Sequence, residues 1–365
     1  MLRAALIGFS KSGKTTLFQL MTNSRDGVAQ AARGKTDAHV GISHVPDARL
    51  DRLTAMFNPR KRVPAAVEFA DTAQATGPQA LTDVAAFRNA DALLHVIRAF
   101  RDPAVPLESG SVDPARDARR MEDELILADL GIAEKRLERL SKDLKKMRSA
   151  DLEQEHAVLV RCRASLEGGT ALRACAFGPD DRKRLRGFQF LSAKPLLLVV
   201  NLDEAELAGR GAQAVAEAAT RAGLDDFLAR AATRAVAVCA KIELEIAQLA
   251  PPDAAAFLLD LGLAESGLDR IIRASYDLLG YISFFTVGED ECRAWSIPRG
   301  TSAQLAAGEI HSDIARGFIR AEVAGYETLV ARGSLAACRD RGDLRLEGKE
   351  YVVQDGDVIN FRFAT

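Results

Sequence analysis

The chain has 365 residues, with 49 Lys and Arg against 51 Asp and Glu, giving a formal charge of −2. That balance does not mark the whole chain as a nucleic-acid binder, and it leaves room for a basic face on a single element. With 48% hydrophobic and 27% charged residues the composition is globular rather than disordered, and at roughly 100–200 residues per domain two or three domains are expected.

Five dispersed cysteines (Cys162, Cys175, Cys239, Cys292 and Cys338) show no C-x-x-C spacing. This argues against a disulfide framework or a zinc site and for a reducing compartment. The first residues run straight into a motif without a signal-peptide apolar core. No apolar run approaches the roughly 18 residues of a membrane span. A cytoplasmic chain without membrane contact is expected.

In chain order, residues 2–8 (LRAALIG) read as a short apolar strand. The next turn, Gly8-Phe9-Ser10-Lys11-Ser12-Gly13-Lys14-Thr15, fits G-x-x-x-x-G-K-[ST]. It lies between that strand and a helix through Leu17, Phe18, Leu20 and Met21, the setting a phosphate loop requires. Glycines 8 and 13 allow backbone angles that aim N–H groups at phosphate oxygens, and the helix N-terminus adds partial positive charge. Lys14 is expected on the β/γ-phosphates, and the Thr15 hydroxyl on Mg²⁺. Nucleotide contacts are expected from Gly8, Ser10, Lys11, Ser12, Gly13, Lys14, Thr15 and Thr16. Residues 63–71 read as a second strand ending in Asp71, where P-loop proteins hold Mg²⁺ with a carboxylate. Residues 91–98 (DALLHVIR), 194–201 (KPLLLVVN) and 234–240 (RAVAVCA) give three more strands. Throughout-apolar strands alternating with helices predict a mainly parallel sheet covered on both faces.

The stretch 121–166 breaks this rhythm. Leu130, Ala133, Leu137, Leu140, Leu144 and Met147 recur in steps of three and four. Beyond a turn at 149–151, Leu152, Leu159, Cys162 and Leu166 form a second stripe. An inserted antiparallel helical hairpin is predicted. Its first arm carries Lys135, Arg136, Arg139, Lys142, Lys145, Lys146 and Arg148. Two readings stand: a solvated face balanced by Glu134, Glu138 and Asp143, or an arm that meets RNA phosphates. After residue 280, strands are predicted at 281–287, 293–297, 318–323, 351–353 and 358–363, forming a small separate α+β domain.

These motifs make the sequence recognisable. It resembles the YchF family, the ATP-preferring branch of the Obg-like P-loop proteins, along essentially the whole chain. The family-like stretches are Val45-Pro46-Asp47-Ala48-Arg49-Leu50-Asp51, 124–130 (ELILADL), 293–298 (RAWSIP), 307–311 (AGEIH), 317–323 (GFIRAEV) and the tail 348–363. The resemblance implies a nucleotide domain over 1–120 and 190–279, a helical hairpin (coiled coil) over 121–189, and a β-grasp TGS-like domain over 280–365. It also implies a slow ATPase or GTPase switch that meets ribosomes or RNA, and a monomer is expected.

The resemblance further implies base-reading residues. Proteins that select guanine use N-K-x-D; this family uses N-x-x-E, which Asn201 and Glu204 match. Cys239, Ala240 and Lys241 fall where the second base-contacting loop is expected. Three departures touch the γ-phosphate side. The family's Asp-x-Ala-Gly reads Asp71-Thr72-Ala73-Gln74 here, so Gln74 is the candidate to place a water. Lys35 stands where the Mg²⁺-contacting Thr aligns, with Thr36 one place later as the candidate metal ligand. Lys11 replaces an Asn, either as a solvent-facing lysine or as positive charge beside the β/γ bridge. Nucleotide binding is therefore a firmer expectation than hydrolysis. A hydrolysis-deficient nucleotide-sensing scaffold for ribosome or RNA is the alternative.

Overall fold

The computed structural model describes residues 2–23, 38–72, 85–107, 110–147 and 149–364. Lys35, Thr36 and Gln74 lie outside the described residues. In chain order the strands are β1 (Leu2–Ile7), β2 (Ala38–His44), β3 (Lys61–Val63), β4 (Ala66–Thr72), β5 (Ala92–Arg98), β6 (Leu196–Asn201), β7 (Thr233–Val238), β8 (Tyr281–Thr286), β9 (Glu291–Pro298), β10 (Phe318–Gly325), β11 (Arg345–Glu347) and β12 (Asp357–Phe363). They make two six-stranded sheets. The chain divides into two compact units, Leu2–Ser43 with Glu68–Leu278, and His44–Val67 with Leu279–Thr365.

The first unit holds the sheet β2-β4-β1-β5-β6-β7. β1, β5, β6 and β7 run parallel, with Ile7 beside His95 and Arg98 beside Asn201. Every residue of β5 and β6 is buried, as strands covered on both faces must be. Strands appear where periodicity placed them at 2–8, 91–98, 194–201 and 234–240. β2 was not expected, because His39, Gly41 and Ser43 dilute its apolar signal.

The hairpin helices are Pro114–Lys146 and Ala150–Glu167. The first starts at Asp113, whose carboxylate accepts from Arg116 N at 3.0 Å, with Pro at the first helical turn where its missing N–H costs nothing. Its opening turns cover the sheet: Ala118, Met121 and Leu125 share a core with Leu93, Ile97 and Leu198. Only beyond these does Ala133, Leu137 and Leu140 pack with Leu159, Cys162 and Leu166 of the second arm. The stripe runs out at Met147, which is 66% exposed. Of the basic residues, Arg136 is engaged across the hairpin, donating to both Glu155 oxygens at 2.7 and 2.8 Å.

The second unit is the sheet β11-β10-β12-β8-β9-β3. Phe284, Phe318, Phe361, Ile297 and Val323 pack with Ala303, Ala306 and Ala307 of the helix Ala303–Ile310. Three expectations are corrected here. The single strand at 63–71 is two strands, β3 in this sheet and β4 in the other, separated by Pro64, which has no N–H to give a ladder. The strand at 351–353 is an isolated bridge, Ser302 to Val352, and the edge strand is instead β11. Residues 44–67, read as part of the nucleotide domain, pack with the C-terminal sheet. Asp47 caps the helix Ala48–Phe57, accepting from Arg49 N at 2.9 Å. The Arg49 guanidinium bonds Asp47 and Asp355 and lies 5.2 Å from the centre of the Phe285 ring. The family-like stretch 45–51 thus builds the C-terminal unit.

Candidate functional site

The phosphate loop follows β1 and opens the helix Lys14–Asn23. Gly8 has φ +152°, and a Cβ there would sit 2.6 Å from Val96 O. Gly13 has φ +92°, and a Cβ there would collide with Asn201 Nδ2. Both positions therefore require glycine. Lys11, at φ +62°, is exposed and takes the left-handed conformation that curls successive N–H groups into a concavity for an anion. Lys14 is buried, with Nζ 3.9 Å from Oδ1 of the fully buried Asp71. Burial pushes the Lys14 ammonium below its ordinary range, and Asp71 opposes that shift. Thr15 is exposed and Thr16 half-buried. Ser12 Oγ is buried without a hydrogen bond among the described residues. A cation held out of water beside a carboxylate, under a curled loop, fits the triphosphate–Mg²⁺ group that the motif implies.

Asn201, at the end of β6, is 3% exposed. Its Nδ2 donates to Ser12 O and its Oδ1 accepts from Ala240 N, both at 3.0 Å. It therefore ties the phosphate loop to the loop at Cys239-Ala240-Lys241. Both ends of its carboxamide are engaged within the protein. Glu204 Oε1 meets Lys241 Nζ at 2.7 Å. That hydrogen bond raises the Lys241 pKa. A cavity of about 430 Å³ includes Gly13, Asn201, Glu204 and Lys241 in its lining, closed on one side by Phe100 and Val105.

That closing wall was invisible to sequence reasoning. It is held by the buried Arg98, which donates to the carbonyls of Phe100, Val105 and Pro106 at 3.2, 3.0 and 3.2 Å and lies 4.5 Å from the Phe100 ring centre. Asp203 accepts from Arg101 N at 3.2 Å and fixes the wall to the base loop. The available signal was an arginine closing a fully apolar strand. His95 was also missed. It is 1% exposed, with Phe9 edge-on at 6.4 Å. Burial, with Lys14 and Arg173 nearby, pushes it down to about 3. It is therefore neutral, and it lines a second cavity of about 350 Å³ beside Ser10 and Ser12.

The structure thus brings Lys14 to Asp71, Gly13 and Ser12 to Asn201, and Glu204 to Lys241. Among the described residues no helix is long and apolar enough to cross a membrane.

Comparison with known proteins is consistent over the full length. The family model YchF-GTPase_C, described as a protein of unknown function, matches residues 281–364. The chain is 42% identical over 372 residues to the ribosome-binding ATPase YchF of Bacillus subtilis (strain 168), covering 99% of each chain. It is 34% identical over 371 residues to the ribosome-binding ATPase YchF of Escherichia coli O157:H7, again covering 99% of each. The solved Schizosaccharomyces pombe YchF GTPase superposes with a TM-score of 0.82 at 28% identity, covering 99% of this chain and 97% of that one.

Proposed function

The chain belongs to the YchF family, and from that premise we propose that it binds ATP or GTP with Mg²⁺, hydrolyses it slowly, and acts as a nucleotide-dependent switch on a ribosome or RNA partner. The observation that carries the reading is the buried Lys14–Asp71 pair under a left-handed loop, with the Asn201 brace joining that loop to a base-sized cavity. Lys14 would hold the β/γ-phosphates, and Thr15 and Asp71 would hold the metal, with Thr36 as the expected further ligand. Bound there, Mg²⁺ withdraws charge from the phosphate oxygens. Lys11 and Gln74 are the proposed γ-phosphate-side residues.

The Glu204–Lys241 pair supports ATP as the better substrate. A lone carboxylate accepts well from the two N–H donors on guanine's edge, and pairing with an ammonium weakens that preference. One observation favours the second reading, a binding module without turnover: Gln74 replaces the glycine whose N–H would meet the γ-phosphate.

Phosphate release from Mg–ATP and Mg–GTP, with and without ribosomes, tests both readings. Release above a heat-killed control, lost in Lys14→Ala, supports the switch. Calorimetric binding without release supports the module. No heat with either nucleotide overturns both.

A further inference from the structure

The opposite edge of the same parallel sheet carries a separate cavity. It has a volume of about 460 Å³, and its lining includes Leu172, Phe177, Leu185 and Phe190 together with Arg182, Arg186 and Lys194. This volume lies in the range of small-molecule sites. β5 and β6 lead from this edge to the nucleotide edge: Asp91, next to β5, lines this cavity, while Arg98 at the other end of β5 holds the base-site wall. At about 3.3 Å per residue the two sites lie roughly 20 Å apart.

What sets this cavity apart is unbalanced charge. Several arginines nearby have acids: Arg173 pairs with Glu122, Arg161 with Asp181, and Arg184 with Asp151. Arg182, Arg186 and Lys194 have no carboxylate within ion-pair distance among the described residues. Lys194 Nζ donates to the carbonyls of Arg88 and Ala90, and among the described residues its third N–H has no partner. It is half-buried, and burial lowers its pKa against the pull of Asp91 and Asp129. Arg182 uses only its Nε, on Phe177 O at 3.0 Å. The single acid in the lining, Asp91, accepts from Arg3 N at 2.9 Å. Lys194, the half-buried one of the three, gives up water on burial, and an anion in the cavity would complete it; Arg182 and Arg186 are exposed and can turn onto the same anion.

We infer that this cavity binds a small aromatic phosphate ester, its ring against Phe177 and Leu185 and its phosphate against Arg182, Arg186 and Lys194. Phosphate is preferred over carboxylate because its three terminal oxygens and double charge match three separate donors. An aromatic body is preferred over an acyl chain because the half-buried Phe177 ring lines the cavity and a second ring can pack against it edge-on or offset.

The site contains its own reporter. Cys175 lines it and is half-buried, while Cys162, Cys239, Cys292 and Cys338 are buried. The rate of iodoacetamide alkylation at Cys175 in the intact protein, read by peptide mass spectrometry, measures occupancy directly. Phenyl phosphate is expected to protect Cys175, inorganic phosphate to protect more weakly, and phenol not at all. Protection is expected to persist in Lys14→Ala, which separates it from binding at the phosphate loop.

The charge reversal Arg182→Glu with Arg186→Glu is expected to leave the melting temperature unchanged, since both side chains are exposed. It should raise the half-protecting concentration at least about tenfold, the scale of one lost charge-assisted hydrogen bond. Should that variant lose its fold, Arg186→Gln alone is read on the same scale, with a smaller rise expected. No protection by phenyl phosphate at millimolar concentration overturns the proposal. So does equal protection by phenol, or protection unchanged in folded charge variants.

Discussion

The two edges of the parallel sheet treat charge in opposite ways. At the nucleotide edge several polar groups already face one another: Lys14 faces Asp71, Asn201 faces Ser12 and Ala240, and Glu204 faces Lys241. At the far edge Arg182, Arg186 and Lys194 line a cavity and, among the described residues, have no carboxylate within ion-pair distance. The difference teaches where affinity resides. Internal pairing fixes geometry before the ligand arrives and spends little of the ligand's binding energy on ordering. Unpaired cations leave the counter-charge to the ligand, so recognition there depends on net charge more than on shape.

The largest expected effect separates the edges most cleanly. Lys14→Ala should cut phosphate release about 10²- to 10³-fold, as losing one charge-stabilising donor does, while leaving Cys175 protection intact. Loss of both would mean the edges are not separate.

The next effect reports on the far edge. Asp129 accepts from Leu191 N and Ser192 N at 2.8 and 2.7 Å, holding the segment that leads to Lys194. Burial pushes its carboxyl up to about 6, against those hydrogen bonds. Between the ordinary aspartate value and about 6, the native state therefore holds a proton that the unfolded state has released. Stability from this group is complete below about pH 4 and is lost as pH rises through 6, by about 3 kcal/mol at most. The neutral His95 contributes a slope of opposite sign over the same range, so the readout is a difference: in denaturant titrations from pH 4 to 6, stability should rise more steeply with pH in Asp129→Asn than in the unchanged protein.

Asn201→Ala is expected to be smaller. It leaves Ser12 O and Ala240 N buried and unpaired, at about 1–3 kcal/mol. A lower melting temperature together with weaker nucleotide binding would sharpen the view that Asn201 braces the site. Weaker binding at unchanged stability would break it. Lys241→Ala should be smallest. The pair is largely exposed and contributes little to stability, but freeing Glu204 should move the ratio of ATP to GTP affinity toward GTP.

The phosphate loop was legible because its chemistry dictates residue types at fixed spacing: Gly8 and Gly13 occupy backbone angles and clearances that a side chain would violate. β5 and β6 were legible because strands buried on both faces must be apolar throughout. What escaped depends on distant pairings. β3 runs parallel to β9, with Lys61 opposite Glu291, and no local period reports a partner about 230 residues away. The split of 63–71 has one local sign, Pro64, but the resulting change of sheet has none. The wall at Phe100–Val105 and the cations at 182, 186 and 194 gather only when strand order folds them together. Gln74 and Thr36 remain proposals carried by the resemblance.

The helix Ala48–Phe57 has one further consequence, concerning the order in which this chain can complete itself. Leu50 and Leu53 are fully buried, and Arg49 is held by Asp355. Those partners are made about 300 residues later, roughly 15 to 60 s at ordinary rates of synthesis. Until the final strands leave the ribosome, an early amphipathic helix waits without its sheet. The C-terminal unit is therefore not a detachable tail. A protein cut at residue 279 would strand an oily helix near its beginning, inviting chaperone capture or aggregation, and residues 280–365 expressed alone would lack both an edge strand and the Arg49 side chain that lies over Phe285.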